Sequence, residues 1–207
     1  MRGNKPQIPP GIYGITSRDF GYTHEQTAVY LLKAGVKVIQ YREKHADTRI
    51  QYKEAKRIKE LCIAYGALFI INDRMDIALA VDADGIHIGQ DDMPIEVVKR
   101  YMDGKIIGVS VRTEQEAIIA QTNGADYLGA GAVYPTTTKE DALSIGLEGL
   151  AKIINATTCP VVAIGGITMD KIPALKGLDL HGMAVISAIA GAPDPERSAK
   201  KFIQLFG

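Results

Sequence analysis

The 207-residue sequence has no excess of either charge: 24 Lys and Arg stand against 24 Asp and Glu, a formal net charge of +0 at pH 7. No global field then draws the chain to nucleic acid or to an anionic membrane, and any anion chemistry has to be local. It also lacks an apolar run of bilayer-spanning length, and residues 1–10 are polar and proline-bearing, without the apolar core of a signal peptide. A cytoplasmic protein is expected. Only two cysteines occur, Cys62 and Cys159, each inside an apolar segment and far apart in sequence. Two small buried side chains in a reducing compartment are the expected reading. No stretch rich in Pro, Ser or charge divides the chain, so residues 1–207 are expected to form one domain, with 1–10 as an N-terminal extension.

What the sequence does contain is an alternation. Short Val- and Ile-rich runs at 11–16, 36–41, 68–72, 85–88, 106–109, 127–129, 161–164 and 183–186 read as strands. Helical periodicity fills the intervals at 25–33, 48–65, 77–81, 95–101, 114–122, 149–155, 169–175 and 195–205. Eight strands each followed by a helix predict a single (β/α)8 barrel, the TIM-barrel form of the α/β class. The chain is short against the roughly 250 residues typical of that fold, so lean loops and abbreviated third and seventh helices are expected. A doubly wound open sheet is the competing topology, disfavoured because no long switch-point insertion interrupts the repeats. In the segment 48–65, Ile50, Tyr52, Ala55, Ile58, Leu61, Cys62 and Tyr65 make the apolar stripe, while Lys53, Lys56, Arg57 and Lys59 read as its solvated face.

In such a barrel the chemistry gathers where strands run into the following loops. After the second strand come Gln40-Tyr41-Arg42-Glu43-Lys44, in which period two puts Gln40, Arg42 and Lys44 on one face, a clamp suited to diphosphate. The third strand ends in Asn72-Asp73-Arg74 and the fourth in Gly89-Gln90-Asp91-Asp92. Two carboxylates at adjacent strand ends suit Mg²⁺, which binds through one or two carboxylates plus substrate phosphates and water. A helix N-cap is the competing role for Asp73, and of Asp91 and Asp92 one is expected to cap and the other to coordinate. His87, within an apolar strand, reads as a packed core histidine. The fifth strand delivers Ser110, a hydroxyl at the mouth or a helix cap. The sixth continues through a Gly-rich turn into Thr136-Thr137-Thr138-Lys139, a second anion-binding segment and, by its length, a mobile loop. The seventh ends in Gly165-Gly166 and the eighth meets Ser187, where this fold commonly builds a phosphate cup.

Together these segments, with Gly108-Val109-Ser110, Ala163-Ile164-Gly165-Gly166-Ile167 and Ile186-Ser187-Ala188-Ile189, resemble the thiamine-phosphate synthase family in order along nearly the whole chain. The resemblance implies a Mg²⁺-dependent transferase that joins 4-amino-2-methyl-5-(diphosphooxymethyl)pyrimidine to 4-methyl-5-(2-phosphooxyethyl)thiazole, giving thiamine phosphate and diphosphate by dissociative loss of diphosphate. It implies that Gln40, Tyr41, Arg42, Glu43, Lys44 and Asn72 hold the pyrimidine diphosphate together with Ser110 and Lys139, and that Asp73 and Asp92 hold Mg²⁺. Thr136, Thr137, Thr138, Gly166, Ile186 and Ser187 would hold the thiazole phosphate. Arg42, Lys44, Ser110 and Lys139 are the implied catalytic groups, and the partners are these small molecules and, from the fold class, a second copy in a homodimer. Tyr41 departs from the family's more usual leucine, and strand alternation turns it away from Gln40 and Arg42. The thiazole tautomerase branch shares the barrel but has no use for Arg42, Lys44, Asp73, Asp92 and Lys139 together. A non-catalytic phosphate-binding barrel would leave the same set without a purpose.

Overall fold

The computed structural model describes residues 5–136 and 144–207. Among them eight parallel strands close in sequence order, β1 against β8, so that no strand edge is left open. The strands are β1 (Gly11–Ile15), β2 (Val38–Tyr41), β3 (Leu68–Asn72), β4 (Gly85–Ile88), β5 (Ile106–Val111), β6 (Tyr127–Gly131), β7 (Val161–Ile164) and β8 (Gly182–Val185). Around them lie α1 (His24–Ala34), α2 (Thr48–Tyr65), α3 (Met75–Ala80), α4 (Ile95–Tyr101), α5 (Glu114–Asn123), α6 (Gly146–Asn155), α7 (Ile172–Leu175), α8 (Ser187–Ala190) and α9 (Pro195–Phe206). The third and seventh helices are short, as the chain length requires, with 6 and 4 residues.

Side-chain alternation sorts the strand residues into two separate cores. Ile8, Tyr13, Ile15, Val38, Ile70, Ile106, Tyr127, Val162 and Ala184 pack together inside the barrel. Their sequence neighbours, among them Ile12, Ile39, Phe69, Ile71, Ile107, Leu128, Ala163 and Met183, join the helix faces in the outer core. Continuous Val/Ile runs are thus what a strand buried on both faces demands. Ile8 gives the N-terminal extension a structural part: it belongs to the inner core, and the His181 ring meets its carbonyl at 2.8 Å.

Several expectations are corrected. β2 begins at Val38 rather than at residue 36, because Gly35 ends α1 in a left-handed turn and the Val36 N–H returns to the Leu31 carbonyl at 3.1 Å. α8 follows β8 directly, and its 4 residues are too few to show a helical period. The buried stripe of α2 is Gln51, Ala55, Ile58 and Cys62, while Ile50, Tyr52 and Tyr65 are exposed. Cys62 is buried, and burial, with Asp84 nearby, pushes its thiol up to about 12. Cys159 is only partly buried. Among the described residues no helix is long and apolar enough to cross a membrane.

Candidate active site

The C-terminal ends of the strands surround a cavity of about 160 Å³. Its wall includes Gln40, Arg42 and Lys44 from β2 and its loop, Asn72 and Asp73 after β3, Asp92 after β4, and Ser110 from β5. Thr136, Gly166, Ile186 and Ser187 close the other side. Residues read from separate strand ends therefore meet in one space. Thr137, Thr138 and Lys139 lie outside the described residues.

Tyr41 and Glu43 do not line the cavity, because alternation along β2 turns them toward the helices. The Tyr41 hydroxyl donates to Glu54 at 2.7 Å. Glu43 accepts the backbone N–H groups of His45 at 2.7 Å and Ala46 at 3.2 Å, and meets Arg18 and His24, each at 3.1 Å. Burial acts to raise the Glu43 pKa, but these donors outweigh it and hold the carboxyl down at about 2. His24, Glu43 and Glu54 lie close enough to ligate a metal. Arg18, paired with both carboxylates, already supplies the positive charge there, so the group is an ion-pair network that fastens the loop after β2.

Asp73 sits against the ammonium of Lys44. Its backbone is left-handed, with φ of 59°, a conformation that Asp tolerates better than most side chains and that is common where a fold stores strain at a site. The Asp73 N–H is held by the His87 carbonyl at 2.8 Å. Asp92 accepts the Gly89 N–H at 2.7 Å, and burial together with the adjoining Asp73 carboxyl raises its pKa. Neither acid caps a helix: the N-cap positions of α3 and α4 are Arg74 and Pro94, without side-chain caps, so the capping expected of Asp91 or Asp92 is not found. The donor set fits a divalent cation, since two neighbouring carboxylates that raise one another's proton affinity are relieved by positive charge between them.

Below these groups a hydrogen-bonded chain of side chains forms the cavity floor. Gln40 Nε2 donates to the Tyr13 hydroxyl at 2.9 Å, and the Tyr13 and Tyr127 hydroxyls meet at 2.6 Å. Tyr127 reaches His87 Nδ1 at 2.8 Å, and His87 Nε2 reaches Ser110 Oγ at 2.9 Å. Burial raises the pKa of both tyrosines, so both stay neutral at ordinary pH. Gly108 makes room for this floor, because a Cβ there would lie 2.1 Å from Tyr127 Cζ. His87 is buried as expected, yet it also lines the cavity. Tyr13, Tyr127 and Arg112 are cavity residues that the sequence reading did not single out. Arg112 was within reach of it, since extending the period of β5 from Gly108 through Ser110 brings residue 112 to the same face.

On the opposite wall Gly166 has φ of 63°, and a Cβ there would fall 2.5 Å from the Pro135 carbonyl oxygen. Only glycine lets the backbone after β7 approach the loop after β6 this closely.

Comparisons with known proteins agree on one family. Residues 12–189 match the family model for thiamine monophosphate synthase. A thiamine-phosphate synthase of Caldivirga maquilingensis is 46% identical over 199 residues, covering 96% of this chain and 97% of that one. One from Archaeoglobus fulgidus is 49% identical over 195 residues, covering 94% and 92%. Among solved structures, a thiamine phosphate pyrophosphorylase of Pyrococcus furiosus superposes with a TM-score of 0.89 at 43% identity, covering 98% of this chain and 96% of that one.

Proposed function

Because the chain belongs to the thiamine monophosphate synthase family, whose members are transferases, we propose that its cavity joins the pyrimidine diphosphate to the thiazole phosphate, releasing diphosphate and forming thiamine phosphate. The observation that carries this reading is the meeting of Arg42, Lys44, Asp73, Asp92 and Ser110 with Thr136, Gly166 and Ser187 around one cavity. The first group suits a diphosphate and the second a monophosphate, with the reacting centres between them.

The reaction needs little covalent help. The bond between the pyrimidine methylene carbon and the diphosphate oxygen breaks with its electron pair leaving on diphosphate. The resulting cation is stabilised by its electron-rich ring and captured by the lone pair of the thiazole nitrogen. No side-chain nucleophile is required, so the work of the protein is to stabilise the departing charge and aim the nitrogen. Arg42, as a planar fork, and Lys44, as a point charge, bind the leaving diphosphate, and Lys139 adds a further cation. Asn72 and Ser110 hydrogen-bond the same substrate, while Thr136, Gly166, Ile186 and Ser187, with Thr137 and Thr138, hold the thiazole phosphate. Asp73 and Asp92 would hold Mg²⁺, which when bound supplies positive charge to the leaving group. Tyr41 and Glu43 act from behind the wall, by fixing the loop that carries Arg42 and Lys44.

The test is to incubate the purified protein with both phosphates and Mg²⁺ and to follow thiamine phosphate and diphosphate. Equimolar appearance of both is expected. Absence of product across metals and pH, with the protein folded, would overturn the reading.

A further inference from the structure

We propose that His87 is a positioning residue that keeps the Ser110 hydroxyl a hydrogen-bond donor toward the pyrimidine diphosphate, in a direction imposed by Gln40 at the far end of the cavity floor. The inference rests on the assignment of Ser110 to that substrate made above.

The direction follows from counting hydrogens. With the imidazole taken as neutral, the run Tyr13, Tyr127, His87 and Ser110 has three links, Tyr13–Tyr127, Tyr127–His87 and His87–Ser110. Each of its four side chains brings one hydrogen. Every link needs one hydrogen and a neutral imidazole cannot accept at both nitrogens, so one is left over, and it sits on Tyr13, on Tyr127 or on Ser110. At the Tyr13 end the Gln40 amide already donates to the hydroxyl oxygen at 2.9 Å. A spare hydrogen on Tyr13 or on Tyr127 would belong to a residue only 3% or 1% exposed, and an unmade bond at a buried donor is costly. At the other end Ser110 is half-buried and faces the cavity, where a ligand can take the hydrogen. The arrangement that satisfies the floor therefore runs one way: Gln40 N–H to Tyr13, Tyr13 O–H to Tyr127, Tyr127 O–H to His87 Nδ1, and His87 Nε2–H to Ser110. The remaining serine hydrogen points into the cavity.

Two further contacts keep the end of the chain in place. The Ser110 carbonyl accepts from Gln90 Nε2 at 2.6 Å, which fixes the backbone that carries the hydroxyl. The tilted stacking of the His87 and Tyr127 rings, with centroids 5.4 Å apart, fixes the imidazole. Ser110 thus selects a ligand atom that offers a lone pair, a diphosphate oxygen or a ring nitrogen, and disfavours an N–H at the same position. His87 acts through Ser110 and does not itself meet the reacting atoms.

The tautomer is measurable without activity. Two-bond proton–nitrogen correlation on the unmodified protein labelled with ¹⁵N-histidine should show His87 protonated at Nε2 and bare at Nδ1, its signals assigned by their loss in His87→Gln. Kinetics give the second arm. Tyr127→Phe, which removes the hydroxyl that feeds Nδ1, is expected to lower kcat about tenfold, with KM for the thiazole phosphate unchanged. His87→Gln, whose amide can still donate to Ser110, should retain more activity than His87→Leu. The double variant Ser110→Ala/His87→Leu should be no worse than the poorer single variant, because both break the same contact. Additive losses, or an Nδ1-protonated His87 in an active enzyme, would overturn this inference alone. Absence of thiamine phosphate from the unmodified protein would instead overturn the functional reading, and with it the substrate assigned to Ser110.

Discussion

At the scale of single residues, Asp92 lies against Asp73 and accepts the Gly89 N–H, so its raised pKa marks a place where positive charge is wanted. Asp92→Asn keeps an oxygen acceptor for Gly89 and removes the charge. Turnover is expected to fall roughly 10- to 100-fold with a weakened response to Mg²⁺, while circular dichroism stays unchanged. A Mg²⁺ titration identical to that of the parent protein would remove Asp92 from the metal site. Gly108 is the opposite kind of residue, important for what it lacks. Its missing Cβ leaves room for the Tyr127 ring, and Gly108→Ala is expected to cost about 1–3 kcal/mol through overpacking. Urea unfolding would check this, and an undiminished midpoint would mean that the ring can shift without penalty.

Among the elements, the end of β2 and its loop divide their work by alternation. Gln40, Arg42 and Lys44 line the cavity, whereas Tyr41 and Glu43 anchor the same segment from outside. The anchor has a pH signature. Glu43 is held at about 2 against an ordinary value of 4.5, so the carboxylate stabilises the fold fully above its unfolded pKa. That contribution is lost as pH falls from about 4.5 toward about 2. Glu43→Gln should therefore be less stable than the parent near neutral pH, on the order of 2 kcal/mol, with the gap closing across that acid window. Denaturant curves at several pH values would show it. A gap independent of pH would mean that lost packing, and not the ionised carboxylate, separates the two proteins. The same variant should raise KM for the pyrimidine diphosphate, since Arg42 and Lys44 would then sit on a looser loop.

For the whole molecule, strand-end residues far apart in sequence become one binding space, and a ligand that spans them stabilises the fold as a unit. Inorganic diphosphate with Mg²⁺, at about 100 times its Kd, should add roughly 2.7 kcal/mol. For a chain of this length that is a rise in Tm of about 5–10 °C. Arg42→Ala should lose most of the rise, and a full shift in that variant would place diphosphate elsewhere. The barrel itself was legible in the linear sequence, because a strand covered on both faces must be apolar at successive positions and its connecting helices must repeat near every third or fourth residue. Local chemistry was legible for the same reason: Arg42, Lys44, Asp73 and Asp92 announce anion and cation binding by type and by their place after a strand. The floor of the cavity was not. Tyr13, His87 and Tyr127 look like core residues in their own segments, and nothing local reveals that their polar atoms meet. Closure of the barrel decides it, by bringing Tyr13 from β1 and Tyr127 from β6 within 2.6 Å across 114 positions of chain. The sequence alone determined which residues could handle phosphate. Only the tertiary structure decided which of them share a cavity and which, like Tyr41 and Glu43, stand behind its wall, because alternation assigns a side and closure assigns the neighbours.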